Sequence, residues 1–228
     1  MALATYKDLC VDAVEPGVLG AFWAAVLGLE LHPEGPGQVC HLTGTTPGRT
    51  VWLARVPEAK SVKHRVHLDV NVSSVEELTR VGATVLDADS FPWTVLADPE
   101  GGEFCAFVRE GGITAPLYEV VVDCADSSEA CADLAAWWAD VLGGRVGEPD
   151  PDGSEVQDIP GAPFEFLVFG RVPEPKTVKN RIHLDVTTAD LDALVAAGAV
   201  VLRPQDDEIG WTVLADPAGN EFCAFVEQ

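Results

Sequence analysis

An internal duplication constrains this chain more than any other feature. KSVKHRVHLDV at residues 60–70 returns as KTVKNRIHLDV at 176–186, and WTVLADPEGGEFCAFV at 93–108 returns as WTVLADPAGNEFCAFV at 211–226. Matching histidines stand 116 residues apart and matching tryptophans 118. That spacing is too long for a solenoid unit and suits a whole small domain. Two related domains in tandem are expected, residues 1–108 and 117–228, joined by the linker REGGITAP at 109–116. Any functional site should then exist in two versions.

Each repeat reads as two βαβββ modules, at about 5–57 and 63–108, then 117–173 and 179–228. Apolar first strands at 6–14 and 117–125 lead into helices. Leu19, Phe22, Trp23, Val26 and Leu27 share one helical face before Gly28. Leu134, Trp137, Trp138, Val141 and Leu142 repeat the pattern before Gly143. Spacing of three and four residues points such a stripe at a core, and glycine belongs at the helix end. Asp126 with Glu129 forms a capping-box pattern for the second of these helices. HPEGPGQ at 32–38 and GEPDPDGSEVQDIPGAP at 147–163 are punctuated as hairpin loops. Strands are expected at 51–56 and 164–172. The pattern then restarts with strands at 65–72 and 181–186. Short helices follow, opened by Ser73-Ser74-Val75-Glu76-Glu77 and by Thr187-Thr188-Ala189-Asp190. The last two strands of the first repeat are joined by Asp98-Pro99-Glu100-Gly101, which suits a type I turn.

Composition removes several function classes. With 14 Lys+Arg against 37 Asp+Glu, the formal charge of −23 disfavours nucleic acid and anionic membranes as partners. Apolar residues make up 47%, enough for two packed cores. The first residues, MALATYKDLCVDAV, read as a strand rather than a signal peptide, and no run is long and apolar enough to span a bilayer. Six cysteines without a CxxC are expected as reduced thiols in a cytoplasmic protein.

The strand at 65–72 carries the chemistry. Val66, Leu68, Val70 and Val72 fall on one face, and Arg65, His67, Asp69 and Asn71 on the other. Its copy sets Ile182, Leu184 and Val186 against Arg181, His183, Asp185 and Thr187. The apolar face must cover a helix, so the polar face looks into solvent or into a hollow. Loops have diverged between the copies while these side chains persist, together with Glu103/Glu221 and Cys105/Cys223 on the final strands. Two explanations stand open. Arg65, Asp69 and Glu103 could form a structural ion-pair network. His67 and His183 are candidates for metal binding, anion binding or acid–base work. His32, His41 and His64 have no matching histidine in the other repeat.

Paired βαβββ units, Val26-Leu27-Gly28 at the helix end, and the KxxKxRxHLD and DPxGxEFC patterns resemble the vicinal oxygen chelate superfamily. This group holds glyoxalase I, extradiol dioxygenases and bleomycin-resistance proteins. The chain is most similar to tandem glyoxalase-like domain proteins, and the resemblance spans both repeats. It implies an α+β fold of four βαβββ modules, forming two tandem glyoxalase-like domains whose curved mixed sheets surround a cavity, with helices outside. It also implies up to four metal ligands on the inner face. In the first repeat these positions fall on Asp8, His67, Cys105 and Ala54, and in the second on Glu119, His183, Cys223 and Gly170. Alanine and glycine cannot coordinate, so the full glyoxalase I set is absent. Carboxylate, His and Cys remain in each repeat, a set that could hold zinc.

The function expected is therefore the binding of a small organic or natural-product ligand in each sheet cavity, in the manner of bleomycin-resistance proteins. Arg65, His67, Asp69, Cys105, Arg181, His183, Asp185 and Cys223 would meet its polar groups. Trp93, Phe107, Trp211 and Phe225 would form walls. No cofactor is required on this reading. The alternative is a metal-dependent lyase, isomerase or dioxygenase using Asp8, His67, Cys105, Glu119, His183 and Cys223, with His67 and His183 as catalytic candidates. A monomer or homodimer is expected. Whether a cup forms within one repeat or by exchange of modules between repeats is left open by the sequence.

Overall fold

The computed structural model describes residues 2–35, 39–125, 127–148 and 150–227. Four βαβββ modules follow one another. The first is β1 (Thr5–Ala13), α1 (Pro16–Leu27), β2 (Glu30–Pro33), β3 (Val39–Thr43) and β4 (Val51–Arg55). The second is β5 (Val66–Val72), α2 (Val75–Arg80), β6 (Thr84–Asp87), β7 (Thr94–Ala97) and β8 (Glu103–Val108). The third is β9 (Leu117–Cys124), α3 (Ser128–Leu142), β10 (Arg145–Val146), β11 (Gly153–Gln157) and β12 (Phe166–Arg171). The fourth is β13 (Ile182–Thr188), α4 (Leu191–Ala196), β14 (Val200–Arg203), β15 (Thr212–Ala215) and β16 (Glu221–Val226). This is the α+β architecture expected from the sequence. Strand β11 lies inside the stretch expected as a loop.

The modules do not pair within their repeats. One eight-stranded sheet runs β14-β15-β16-β13-β1-β4-β3-β2 and the other runs β10-β11-β12-β9-β5-β8-β7-β6. The outer two modules thus share a sheet, and so do the inner two. Antiparallel pairing of β1 with β13 joins the first, with Asp8 opposite Asp185 and Cys10 opposite His183. Pairing of β5 with β9 joins the second, with Asp69 opposite Glu119 and His67 opposite Val121. Each sheet is mixed, since β1 runs parallel to β4 and β5 parallel to β8.

Local chemistry sets the element ends. Pro16 opens α1, where a missing N–H costs nothing, and Gly28 closes it in the left-handed region at φ 64°. Gly143 does the same for α3 at φ 72°. The Ser127 side chain accepts from Ala130 N at 3.3 Å and caps α3. Asp126, read as its capping residue, lies outside the described residues, as do Pro36, Gly37 and Gln38 of the first expected loop and Pro149 of the second. Ser74 stands at the start of α2 without a side-chain cap bond, whereas Asp190 caps α4 by accepting from Ala193 N. In the turn at Asp98, Gly101 N donates to Asp98 O, and the copy at Asp216 repeats this with Gly219.

One hydrophobic cluster runs through the molecule and takes the apolar faces of both sheets. Helix α1 packs on its own sheet and also on the other. Phe22 and Trp23 meet Phe104 of β8 edge-on, with ring centroids 5.8 and 5.3 Å away. Helix α3 repeats this with Trp137 and Trp138 against Phe222 of β16. Trp23 and Phe104 are essentially sealed from water. Burying each such ring contributes roughly 2–3 kcal/mol. Cys124 and Cys131 are joined as a disulfide, which departs from the expectation of reduced thiols throughout. Cys10, Cys40, Cys105 and Cys223 are free.

Candidate functional site

The polar faces of both sheets are turned away from bulk water. His67 and His183 expose only 13% and 9% of their side chains. In the sheet of the inner modules, Glu119, Asp69 and Cys105 form a row across β9, β5 and β8. His67 stands two residues before Asp69 on the same face, with Nδ1 2.7 Å from Asp69 Oδ1. In the other sheet the row is Asp8, Asp185 and Cys223 across β1, β13 and β16. There His183 Nε2 lies 3.3 Å from both Asp185 Oδ1 and Cys223 Sγ. In each trio of His, Asp and Cys, one ligand atom per residue lies within 4.8 Å of the others.

The sequence expected Asp8 to join His67 and Cys105, and Glu119 to join His183 and Cys223. Module exchange reverses this. Asp8 stands beside Asp185 of the fourth module, and Glu119 beside Asp69 of the second. Each row therefore takes one carboxylate, Asp8 or Glu119, from one repeat, and its other carboxylate, imidazole and thiol from the other. Ala54 and Gly170 face Asp12 and Asp123 in register and bring no donor. Cys10 was missed by sequence reasoning. It lies opposite His183, while Val121 holds the equivalent place opposite His67. A search for side chains present in both repeats cannot find it.

These groups titrate far from their ordinary values. Burial raises Glu119 to about 7, helped by the charge of Asp69. Burial raises Asp8 to about 6, helped by Asp185 and opposed by Lys7. Burial and Asp69 push the Cys105 thiol up. Burial works to lower His67, but the Asp69 carboxylate outweighs it and the imidazole ends up raised. His183 is raised further, because the Asp185 carboxylate, with Cys10 and Cys223 beside it, outweighs the same burial. In the outer-module site, Asp8 Oδ1, Asp185 Oδ1 and His183 Nδ1 are buried without a hydrogen-bond partner.

Aromatic side chains flank both rows. Phe91, Trp93, Phe107, Tyr118 and Phe166 form a continuous series with ring centroids 5.2–5.7 Å apart. The Arg109 guanidinium covers Tyr118 at 4.8 Å. In the other sheet Trp211 packs on Phe225 at 5.5 Å, and Lys7 Nζ sits 4.3 Å over the Phe225 ring while bonding Asp8. Trp52 donates to Asp8 Oδ2 at 3.3 Å and stacks on His41, which stacks on His32. Trp93, Phe107, Trp211 and Phe225 were legible in the sequence. Tyr118, Phe166, Trp52, His41 and His32 join them only through strand pairing.

Arg65 and Arg181 have another task. The expected pairs of Arg65 with Asp69 or Glu103 do not form. Arg65 donates to the carbonyls of Asp123 and Glu174, and Arg181 to those of Asp12 and Glu58. Lys63 bonds Asp123 and Lys179 bonds Asp12, each across the repeats, at 2.7 and 2.6 Å. Lys60 and Lys176 hold Glu103 and Glu221 of their own last strands. The repeated KxxKxR motif is thus a clamp that ties each central strand to the other repeat.

Two eight-stranded mixed sheets and four βαβββ modules, with a row of carboxylate, imidazole and thiol groups on each polar face, define a tandem-domain protein of the vicinal oxygen chelate class. The Glyoxalase-like domain family matches residues 8–107 and again 119–225, and the chain belongs to that family. Among solved structures it is similar to glyoxalase I from Zea mays, with 14% identity, 98% of this chain and 92% of that one covered, and a TM-score of 0.66. It is also similar to a putative dioxygenase from Bacillus subtilis subsp. subtilis str. 168, at 13% identity, 98% and 86% coverage and a TM-score of 0.61. At such identities the likeness concerns the fold. No curated protein matches the chain in sequence.

Proposed function

We propose that this chain binds small organic ligands on the concave faces of its two sheets, as a glyoxalase-like protein of bleomycin-resistance type. The observation that carries this reading is the joining, on one face, of a half-buried aromatic series to a row of buried polar groups. A flat apolar body would lie on Trp93, Phe107 and Tyr118, or on Trp211 and Phe225. Its polar end would meet the rows at Asp69 and Asp185. In the outer-module row the buried Asp8 Oδ1 and Asp185 Oδ1 lack a hydrogen-bond partner, which favours a basic or hydrogen-bond-donating group there. No helix among the described residues is long and apolar enough to cross a membrane, and we place the activity in the cytoplasm.

A second reading has a specific observation behind it. His, carboxylate and thiol donors close enough to share one ion suit zinc, and partnerless buried oxygens beside them suit a cation. His67, Asp69 and Cys105, or His183, Asp185 and Cys223, would hold it. Such an ion supplies a Lewis acid for a bound oxygen, and the chain would then be a lyase, isomerase or dioxygenase. The protein groups would hold the substrate body against the aromatic series and keep water from the row.

One pair of measurements tests both readings. Calorimetric titration with hydrophobic aromatic amines should give saturable binding, weakened at least tenfold by Asp69→Asn with Asp185→Asn. Absence of binding across the panel, or indifference to both substitutions, contradicts the first reading. Stoichiometric metal that survives dialysis and is lost in His67→Ala with His183→Ala establishes the second; a metal-free protein with intact ligand binding dismisses it.

A further inference from the structure

A cavity of about 510 Å³ lies outside both concave sites, between the loop before β5 and the loop before β13. Five of the chain's 14 Lys and Arg side chains line it: Lys60, Lys63, Arg65, Lys179 and Arg181. Beside the four carboxylates of the same lining these cations are a narrow majority, in a chain with 14 Lys and Arg against 37 Asp and Glu. Three of the five are committed to the clamp through several bonds or in near-complete burial. Lys63 and Lys179 differ. Each makes one hydrogen bond, and their side chains are 57% and 51% exposed. An ammonium group has three N–H donors, so each has further donors to offer. Lys179 is held in its charged form, since Asp12 outweighs the effect of burial.

The four carboxylates of the lining are Asp12, Glu58, Asp123 and Glu174, and Asp123 and Asp12 already accept from Lys63 and Lys179. Val62 and Val178 line the cavity and are 41% and 45% exposed. His64 lines it too, is only 9% exposed, and has no partner at either ring nitrogen. The equivalent Asn180 is satisfied by Asn220 Oδ1 at 3.1 Å. The cavity therefore has a repeat-related pair of ammonium groups with free donors and a repeat-related pair of exposed valines.

We propose that this cavity binds a small organic anion carrying two acidic groups. One acidic group meets the Lys63 ammonium and the other that of Lys179, while the spacer lies on Val62 and Val178. Carboxylates and phosphates share this chemistry, so both are tested on the full chain. Calorimetric titrations at low salt would use succinate, glutarate, adipate and inorganic pyrophosphate, since such contacts are screened by salt. The expected result is saturable binding of one molecule per chain by at least one probe. Lys63→Gln and Lys179→Gln should each weaken it tenfold or more. Because the lysines also serve the clamp, Val178→Trp provides the independent test. It fills the cavity from an exposed position and should abolish binding with an unchanged melting profile. Failure of every probe to bind saturably, or unaltered affinity in Val178→Trp, overturns the proposal.

Discussion

Glu119 and Asp8 are carboxylates kept beside other carboxylates, and their raised pKa values tie stability to pH. A group that binds its proton more tightly folded than unfolded stabilises the fold at low pH. That contribution is lost as pH rises from the ordinary carboxylate value, about 4, to the folded one. For Glu119 the window closes at about 7. His64 acts in the opposite sense, because burial depresses it to about 4, so the difference between variants is the clean observable. Glu119→Gln should match the parent near pH 4 and exceed it by about 1–2 kcal/mol at pH 8, with solvent screening at this partly exposed group already discounted. Urea denaturation at the two pH values checks this, and an equal offset at both would contradict it. The residue scale was well legible where both repeats carry the same group, as with His67, His183, Cys105 and Cys223. It was poorly legible for Cys10, whose counterpart is Val121. Asp8 and Glu119 were found but given the wrong companions, because their neighbours are set by strand pairing and not by position along the chain.

At the scale of elements, alternation and three-four spacing placed nearly every strand and helix. They could not say what the charged motif between them does. Lys60, Lys63 and Arg65 persist in both repeats, and the sequence leaves Arg65 open to two readings, a ligand contact or a structural ion-pair network. The structure spends most of their hydrogen bonds on carbonyls and carboxylates. Arg181 is the most constrained of these, with its side chain 11% exposed and Glu100 3.1 Å away. Glu100 also accepts from Val14 N and Glu15 N at the start of α1. Its counterpart Ala218 can do none of this. Arg181→Ala should cost about 3 kcal/mol, since it leaves Glu100 and two carbonyls without their cation. Arg203→Ala removes a half-exposed pair with Asp206 and should leave the urea midpoint nearly unchanged. Equal losses in the two variants, read by urea denaturation, would show that the clamp is only a solvated charge pattern.

For the whole molecule, the decisive fact is that each sheet takes strands from both repeats. Sequence order left this open, because a module buries the same apolar face whether its partner comes from its own repeat or the other. Both polar rows, the interlocked aromatic core and the inter-repeat clamps all depend on that exchange. The linker at 109–116 stays against the sheet of the inner modules, where Arg109 donates to Asn71 Oδ1 and covers Tyr118, and Asn71 donates to Ala115 O. Protease cleavage at a site placed between Gly111 and Gly112 tests the arrangement directly. The account predicts that the two fragments remain together through gel filtration at native pH, with an unchanged circular dichroism spectrum, and separate only in denaturant. Release of two independently folded monomers by the cut would contradict it.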